Sequence, residues 1–355
     1  MTEILVVPSD AVPDDVVRRA AAALAAGGVV AAPTDTVYGL LARSGRPEAV
    51  ARVYAIKGRP AEKALPFLLP DASHVETFVN RPPARARRWM NAFWPGGLTL
   101  VLGPDDRTVA LRVPDHALLR AILSAAGGPV TATSANLSGR PAATRAEEVR
   151  DALGEGPDLL IDGGPARGGR ESTVVRAAPD GTWKVLREGA IPVEALRRAA
   201  PDRTLFVCSG NTCRSPMAEA LFRRALADRV GVPVERLAEA GFAVESAGTS
   251  AAPGDPATPA ARAAAARLGG ALADHRATRL DAARLDDADR VFVMTHDHLR
   301  TLRDRFPEAA GKAVLLDPRG LDVPDPFGAD EDHYRLCAER LAALVRSRAA
   351  DVPSP

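Results

Sequence analysis

Cysteine is scarce: there are three in 355 residues, with no paired framework. That excludes a scaffold stapled by disulfides and fits a reducing compartment. No sign of charge prevails either. Lys and Arg total 46 against 45 Asp and Glu, so a generally basic surface for nucleic acid is not expected, and RNA contact would need a local patch. No apolar run reaches the length that spans a membrane, and the opening "MTEILVVPSD" has no cationic stretch leading into a long apolar core. The expectation is a soluble, cytoplasmic chain without a membrane partner. What is present suits a globular protein. Hydrophobic residues make up 46% and charged residues 26%, and the length is large for one core, which favours two domains.

A seam is expected at "EALRRAAPDRTLFVCSG". The helical pattern "VEALRRAA" stops at Pro201, and Thr204 opens a new apolar run. The predicted domains are residues 1–200 and 201–355. Before the seam, "GVVAAPT", "LTLVLG", "VALRVP" and "PVTATS" read as short strands between Gly/Pro turns and Ala-rich helices, a mixed α/β domain. After it, "TLFVC", "FAVESAG", "RVFVMT" and "AVLLD" read as buried strands alternating with polar or helical segments. The last segment places Tyr334, Cys337, Leu341, Leu344 and Val345 at helical spacing. This pattern predicts a small doubly wound parallel sheet. No internal repeat is visible.

Two of the three cysteines sit in "LFVCSGNTCRSPMAEALF", residues 205–222. A zinc site needs about four ligands, and neither Cys337 nor the scattered histidines supply a second pair at suitable spacing, so no metal site is expected. The strand-to-helix context points elsewhere. Ser215 can cap the helix, Pro216 suits its first turn, and Ala218, Leu221, Phe222, Ala225 and Leu226 share an apolar face. The loop Cys208–Arg214 then lies where backbone N–H groups converge, which makes an anion site. Such donors, with Arg214, stabilise a thiolate. A free thiol with a pKa of about 8.5 is only a few per cent ionised at pH 7, and a downward shift of roughly three units, about 4 kcal/mol, would ionise nearly all of it. Arg214 offers a planar fork to two phosphate oxygens. Gly210 permits a tight turn, Asn211 tolerates left-handed geometry, and Ser215 can donate to Cys208 as a leaving thiolate.

"VCSGNTCRS" is similar to the signature of the low-molecular-weight protein tyrosine phosphatases, and the likeness continues through "SAGT", "DHRATRL", "VFVMT" and "DPFG". The resemblance implies that Cys208 is the nucleophile and that Ser209, Gly210, Asn211, Thr212 and Cys213 form the phosphate loop with Arg214 and Ser215. It places the general acid at Asp325, before Pro326, and requires no cofactor. Thr212 and Phe327 resemble the protein-arginine phosphatase branch, which leaves phosphotyrosine and phosphoarginine on a phosphorylated protein both open. Arsenate reductases share the fold but need further redox cysteines on a central loop, and none is there. A Cys208–Cys213 disulfide would protect the nucleophile reversibly.

In the first region no single motif compels a mechanism. The combination gathers cations and small hydroxyls beside Gly-rich turns: Lys57 and Arg59 in "YAIKGRP", then Lys63, Thr99 in "FWPGGLTLVL" and Arg112 in "LRVPDH". "TATSANLSG" adds Ser134, Asn136 and Ser138, "IDGGPARGGRESTVV" adds Ser172 and Thr173, and "LREGAIP" adds Arg187. A triphosphate site requires such groups. In order over residues 10–195 they resemble the threonylcarbamoyl-AMP synthase family, with a YrdC-like twisted α/β sheet and a large concave face.

The resemblance implies an adenylate made from L-threonine, bicarbonate and ATP with Mg2+, for the machinery that transfers threonylcarbamoyl to position 37 of tRNA. Thr36, Arg112 and Ser172 would contact threonine. Arg59, Lys63, Thr99, Ser134 and Arg187 would hold ATP, with Lys57 and Asn136 serving the same site. Two departures stand out: Leu68 occupies the place of an expected histidine, and "LRPG" has become "LREG". The alternative reading is an RNA-binding module without synthase activity.

Overall fold

The computed structural model describes residues 1–60 and 62–352 and divides into two compact units, Met1–Leu196 and Arg197–Pro355. The division falls inside the helix Val193–Ala199.

The first unit is built on one mixed sheet. Its strands are β1 (Glu3–Val6), β2 (Val30–Ala32), β3 (Gly39–Arg43), β4 (Phe67–Leu68), β5 (Leu98–Leu102), β6 (Val109–Arg112), β7 (Val130–Ser134), β8 (Leu159–Asp162), β9 (Thr173–Ala177) and β10 (Trp183–Arg187). They lie in the order β1-β8-β2-β3-β7-β4-β6-β5-β9-β10. At the β1–β3 end both faces are covered. Val30, Ala32, Leu41, Leu159 and Ile161 pack with Val16, Leu24 and Ile122 from the helices Asp14–Ala25 and Ala117–Ala125. Their alternating neighbours Ala31, Leu40, Ala42 and Leu160 pack with Val53 and Val149 from the helices Pro47–Lys57 and Ala146–Leu153. The strand period of two thus sends successive apolar side chains into two cores.

Toward the other end the faces differ. On β5, Leu98, Leu100 and Leu102 are fully buried, while Thr99 and Val101 turn to the opposite face and line a cavity of about 340 Å3.

The second unit is a four-stranded sheet of β11 (Asp202–Cys208), β12 (Phe242–Gly248), β13 (Arg290–Val293) and β14 (Ala313–Leu315). Its order is β12-β11-β13-β14, and every pair is parallel. Phe206 and Phe292 pack with Phe222, Leu341 and Val345 from the helices Arg214–Val230 and Glu331–Ala350. Leu205, Val207, Val291 and Val293 face the opposite way, onto Leu285 and Leu302. The chain leaves β11 for β12 on one side and later takes up β13 on the other. Such a reversal opens a crevice at the carboxyl end of the first strand. Cys208 is the last residue of that strand.

Candidate functional site

The cavity of the first unit brings together Thr36, Arg59, Thr99, Arg112, Ser134, Ser172 and Arg187. Arg112 ends β6 and is almost buried. Its Nη1 donates to Thr36 Oγ1 at 3.0 Å, its Nη2 to Asp35 Oδ1 at 2.6 Å and its Nε to Gly96 O at 2.9 Å. Two of its five N–H groups remain for a ligand. Burial pulls the guanidinium down while the Asp35 charge holds it up; at an arginine's starting value the group stays cationic.

Thr36 is set by Thr34, whose Oγ1 lies 3.0 Å from Thr36 Oγ1, accepts from Thr36 N and donates to Val37 O. Across the cavity Thr99 Oγ1 and Ser172 Oγ are 2.8 Å apart, and Arg187 donates to Ser172 O at 2.9 Å and Ser172 Oγ at 3.2 Å. The segment is pinned by Thr173 Oγ1, which accepts from Gly189 N and Ile191 N, both at 2.9 Å. The "LREG" variant leaves this intact. Gly189 is the residue that matters there, because a Cβ would stand 2.3 Å from Glu171 O.

Three expected residues lie outside the lining. Lys57 is buried, and its ammonium donates to Ser134 O, Asn136 O and Asn136 Oδ1. Burial, then the Arg59 charge, bring it down to about 8. Its place is behind the "TATSANLSG" turn, which it braces. Asn136 belongs to the same brace, with Nδ2 donating to Leu137 O and Arg140 O. Lys63 is exposed, and its carbonyl accepts from Arg59 Nε at 3.0 Å. Leu68 is a buried apolar wall of the cavity, paired in register with Arg112. Asp35, not singled out from the sequence, is the partner that orients Arg112.

In the second unit Cys208 Sγ lies 3.0 Å from Ser215 Oγ and accepts from Asn211 N at 3.3 Å. Asn211 has φ +55, the left-handed conformation anticipated for it, and is fully buried. Its Nδ2 donates to Ser215 Oγ at 2.9 Å and Ser246 Oγ at 2.8 Å, and its Oδ1 accepts from Thr278 N at 2.7 Å. Its carbonyl is 2.8 Å from His275 Nε2, and Ser246 Oγ donates to Glu219 Oε2 at 2.7 Å. With Asn211 donating to Ser215 Oγ, the Ser215 hydrogen has two acceptors within reach, Cys208 Sγ at 3.0 Å and, at the longer 3.4 Å, Ala247 O.

The helix begins at Arg214 with Cys213 at its cap position and no side-chain cap. Ser215 therefore does not cap the helix as anticipated; its hydroxyl is turned inward to the sulfur. Burial pushes the Cys208 thiol up, against the downward pull of Ser215, Arg214 and the Asn211 N–H. The anticipated low thiol is thus opposed in the ligand-free loop by the burial that the fold imposes.

Arg214 is buried, donates from Nη1 to Val323 O at 3.2 Å, and is paired through Nη2 with Asp325. Its Nε is buried with no hydrogen-bond partner. Asp325 is half-exposed, and Phe327 beside it is exposed. Thr212 is half-buried, with Oγ1 3.7 Å from Cys213 Sγ. Cys213 Sγ also lies 3.3 Å from Tyr334 Oη, and all three cysteines are free thiols. Burial pushes Cys337 up to about 12, which makes it an inert core residue.

The geometry defines two classes of site: a polar cavity over a mixed sheet, and a cysteine cradle at the carboxyl end of a parallel sheet. Residues 22–189 match the Sua5_yciO_yrdC family, described as "Telomere recombination", and residues 203–353 match the family described as "Low molecular weight phosphotyrosine protein phosphatase". The threonylcarbamoyl-AMP synthase of Bacillus subtilis (strain 168) is 41% identical over 194 residues, which are 52% of this chain and 56% of that protein. The chain thus spans little more than half of that relative's length. A putative threonylcarbamoyl-AMP synthase of Mycobacterium leprae (strain TN) is 37% identical over 190 residues, 51% of this chain and 86% of that protein. A solved Sua5 variant from P. abyssi has a TM-score of 0.53 and 26% identity, covering 70% of this chain and 91% of its own. The chain belongs to the threonylcarbamoyl-AMP synthase family through its first unit and carries a low-molecular-weight phosphatase family domain in its second.

Proposed function

We propose that the first unit makes threonylcarbamoyl-AMP from L-threonine, bicarbonate and ATP. The observation that carries this reading is the convergence of Thr36, Arg112, Ser172 and Arg187 on one cavity. The threonine amine condenses with bicarbonate to a carbamate with loss of water, the carbamate oxygen attacks the α-phosphorus, and pyrophosphate leaves. No covalent enzyme intermediate is needed, so positioning and charge neutralisation supply the catalysis. Thr36, Arg112 and Ser172 hold threonine, while Arg59, Thr99, Ser134 and Arg187 face the nucleotide. Among the described residues no group of three His, Cys, Asp or Glu side chains could hold a metal. Mg2+ would enter this site as an ion carried on the triphosphate, where it would neutralise charge. The product would feed the transferase machinery for position 37 of tRNA. A bare RNA-binding role is not favoured, because the matched relatives are named as synthases. The test is pyrophosphate release by the full chain given ATP, threonine and bicarbonate. None from a folded protein would overturn the synthase reading.

For the second unit the reading is hydrolysis of phosphotyrosine or phosphoarginine on proteins through a phosphocysteine. Its support is the unpartnered Nε of Arg214 beside Cys208. Cys208 Sγ attacks phosphorus, the loop N–H groups and Arg214 hold the phosphate oxygens, and the leaving atom takes a proton from Asp325. Because Asp325 is paired with Arg214, an entering phosphate competes for the guanidinium, and the carboxylate so released takes up the proton given off by the Cys208 thiol and passes it to the leaving atom. Water then attacks phosphorus and gives its proton to the Asp325 carboxylate, and Cys208 leaves as a thiolate stabilised by a hydrogen bond from Ser215. Phosphate release from phosphoarginine and phosphotyrosine peptides, with Cys208→Ser as control, tests both the chemistry and the choice of side chain. Equal activity in the control would remove Cys208 as nucleophile.

A further inference from the structure

His298 lies on the helix His296–Arg305, where its neighbours Asp297 and Arg300 are solvent-exposed. Its own residue surface is only 5% exposed. Both ring nitrogens are engaged: Nδ1 is 2.8 Å from Thr295 Oγ1, and Nε2 is 2.9 Å from Ser209 Oγ. Thr295 caps the helix, its Oγ1 accepting from His298 N at 3.3 Å.

These contacts are met by the tautomer protonated at Nε2, which is the one assigned to the ring. Thr295 Oγ1 already accepts a backbone N–H, and its own hydrogen is used if it donates to Nδ1. The ring hydrogen then sits on Nε2 and is donated to Ser209 Oγ, so the Ser209 O–H is the hydrogen left over in this relay. Burial, then the Arg214 charge, hold the imidazole down to about 4, with Asp325, Asp297 and Asp322 pulling the other way. The ring is neutral at ordinary pH and can act as donor on one side and acceptor on the other.

We infer that His298 is a positioning residue of the phosphate loop, which by donating Nε2–H to Ser209 Oγ leaves the Ser209 O–H to donate to a phosphate oxygen entering the cradle. Ser209 follows Cys208 in the loop and is itself exposed, so without this anchor its rotor would be free to turn to solvent. The inference rests on the phosphatase reading of the Cys208–Arg214 loop. It adds a residue some ninety positions away that acts on the substrate only through Ser209.

The experiment uses the full chain and two readouts: the Kd of inorganic phosphate by calorimetry, and kcat and KM on a phosphotyrosine peptide. Loss of one such hydrogen bond corresponds to about fivefold to tenfold. His298→Ala is expected to weaken phosphate binding and raise KM by that factor with little change in kcat. His298→Gln, whose amide can reach Ser209, restores most of the loss. Ser209→Ala shows the same loss, and the double substitution is no worse than Ser209→Ala alone. Equal losses for His298→Ala in the wild-type and Ser209→Ala backgrounds would overturn the inference, as would unchanged phosphate binding in Ser209→Ala. If His298→Ala does not fold, His298→Gln and Ser209→Ala decide. A wild-type chain that neither binds phosphate nor differs from Cys208→Ser in hydrolysis would overturn the phosphatase reading, and this inference with it.

Discussion

Ser215 is the residue on which the ionisation of Cys208 turns. It stands 3.0 Å from the sulfur and is oriented by the donor Asn211 Nδ2, while burial of Cys208 works in the opposite direction. A hydrogen bond to a charged group contributes about 1.5–3 kcal/mol, or one to two pH units of thiol pKa. Ser215→Ala is therefore expected to raise the Cys208 pKa, read as an upward shift in the pH profile of iodoacetamide alkylation. An unmoved profile would show that the loop amides and Arg214 set the thiolate without it. His298 gives a second titration with a definite sign. Its folded value of about 4 lies below the ordinary 6.5, so its contribution to stability is present above 6.5 and is lost as pH falls through 4. Between those limits the unfolded chain takes a proton that the folded one does not, a slope of up to about 1.4 kcal/mol per pH unit. The stability advantage of the wild type over His298→Gln should shrink as pH falls from 7 to 4 in denaturant titrations. A constant difference would show that the ring is not held neutral.

At the scale of elements, the close approach of the β8–β9 loop to Asp35 and Thr36, on the side of the cavity proposed for threonine, is set by Gly168. A Cβ there would stand 2.7 Å from Asp35 O and 3.2 Å from Thr36 Cα. Overpacking of this kind costs about 1–3 kcal/mol. Gly168→Ala is expected to displace Thr36 from Arg112 and raise KM for threonine by about tenfold in pyrophosphate assays, with KM for ATP much less affected. Equal rises for both substrates would argue that the loop serves the whole cavity.

What was legible in the sequence follows from the same geometry. The phosphate loop could be read because Cys208, Arg214 and Ser215 are local in the chain and sit at a strand-to-helix junction. The four strands of the second unit were equally legible, the central pair β11 and β13 most of all, since strands covered on both faces show as nearly continuous apolar runs. The residues that hold Asn211, namely Ser246, His275 and Thr278, lie in motifs visible in the sequence, but their convergence depends on strand register and loop return. The first cavity was harder. Lys57 and Arg59 are two residues apart, yet one braces a turn and the other lines the cavity. Only tertiary packing decides which way each points. The ten-strand order, with β1 beside β8 and β5 beside β9, likewise rests on pairings between distant segments that no local pattern encodes.

At the scale of the whole molecule, each unit has its own cores and its own proposed site residues. Thr36, Arg59, Thr99, Arg112, Ser134, Ser172 and Arg187 all come from Met1–Leu196, and Cys208, Asn211, Arg214, Ser215 and Asp325 all come from Arg197–Pro355. Neither proposed reaction consumes a product of the other: one releases pyrophosphate, and the other releases orthophosphate from a side chain. The two activities should therefore separate by substitution within one intact chain. Cys208→Ser is expected to abolish phosphate release from peptides and leave pyrophosphate formation within about twofold of wild type. Removal of the Arg112 guanidinium, which costs a buried charged contact to Thr36 and Asp35 of about 3–5 kcal/mol, should reduce pyrophosphate formation by about a hundredfold or more and leave peptide dephosphorylation unchanged. Both activities are measured on the same preparations, with thermal unfolding as a check that both units remain folded. A loss that crosses from one activity to the other in a folded variant would show that the two sites are energetically coupled, and that the chain works as one enzyme rather than two.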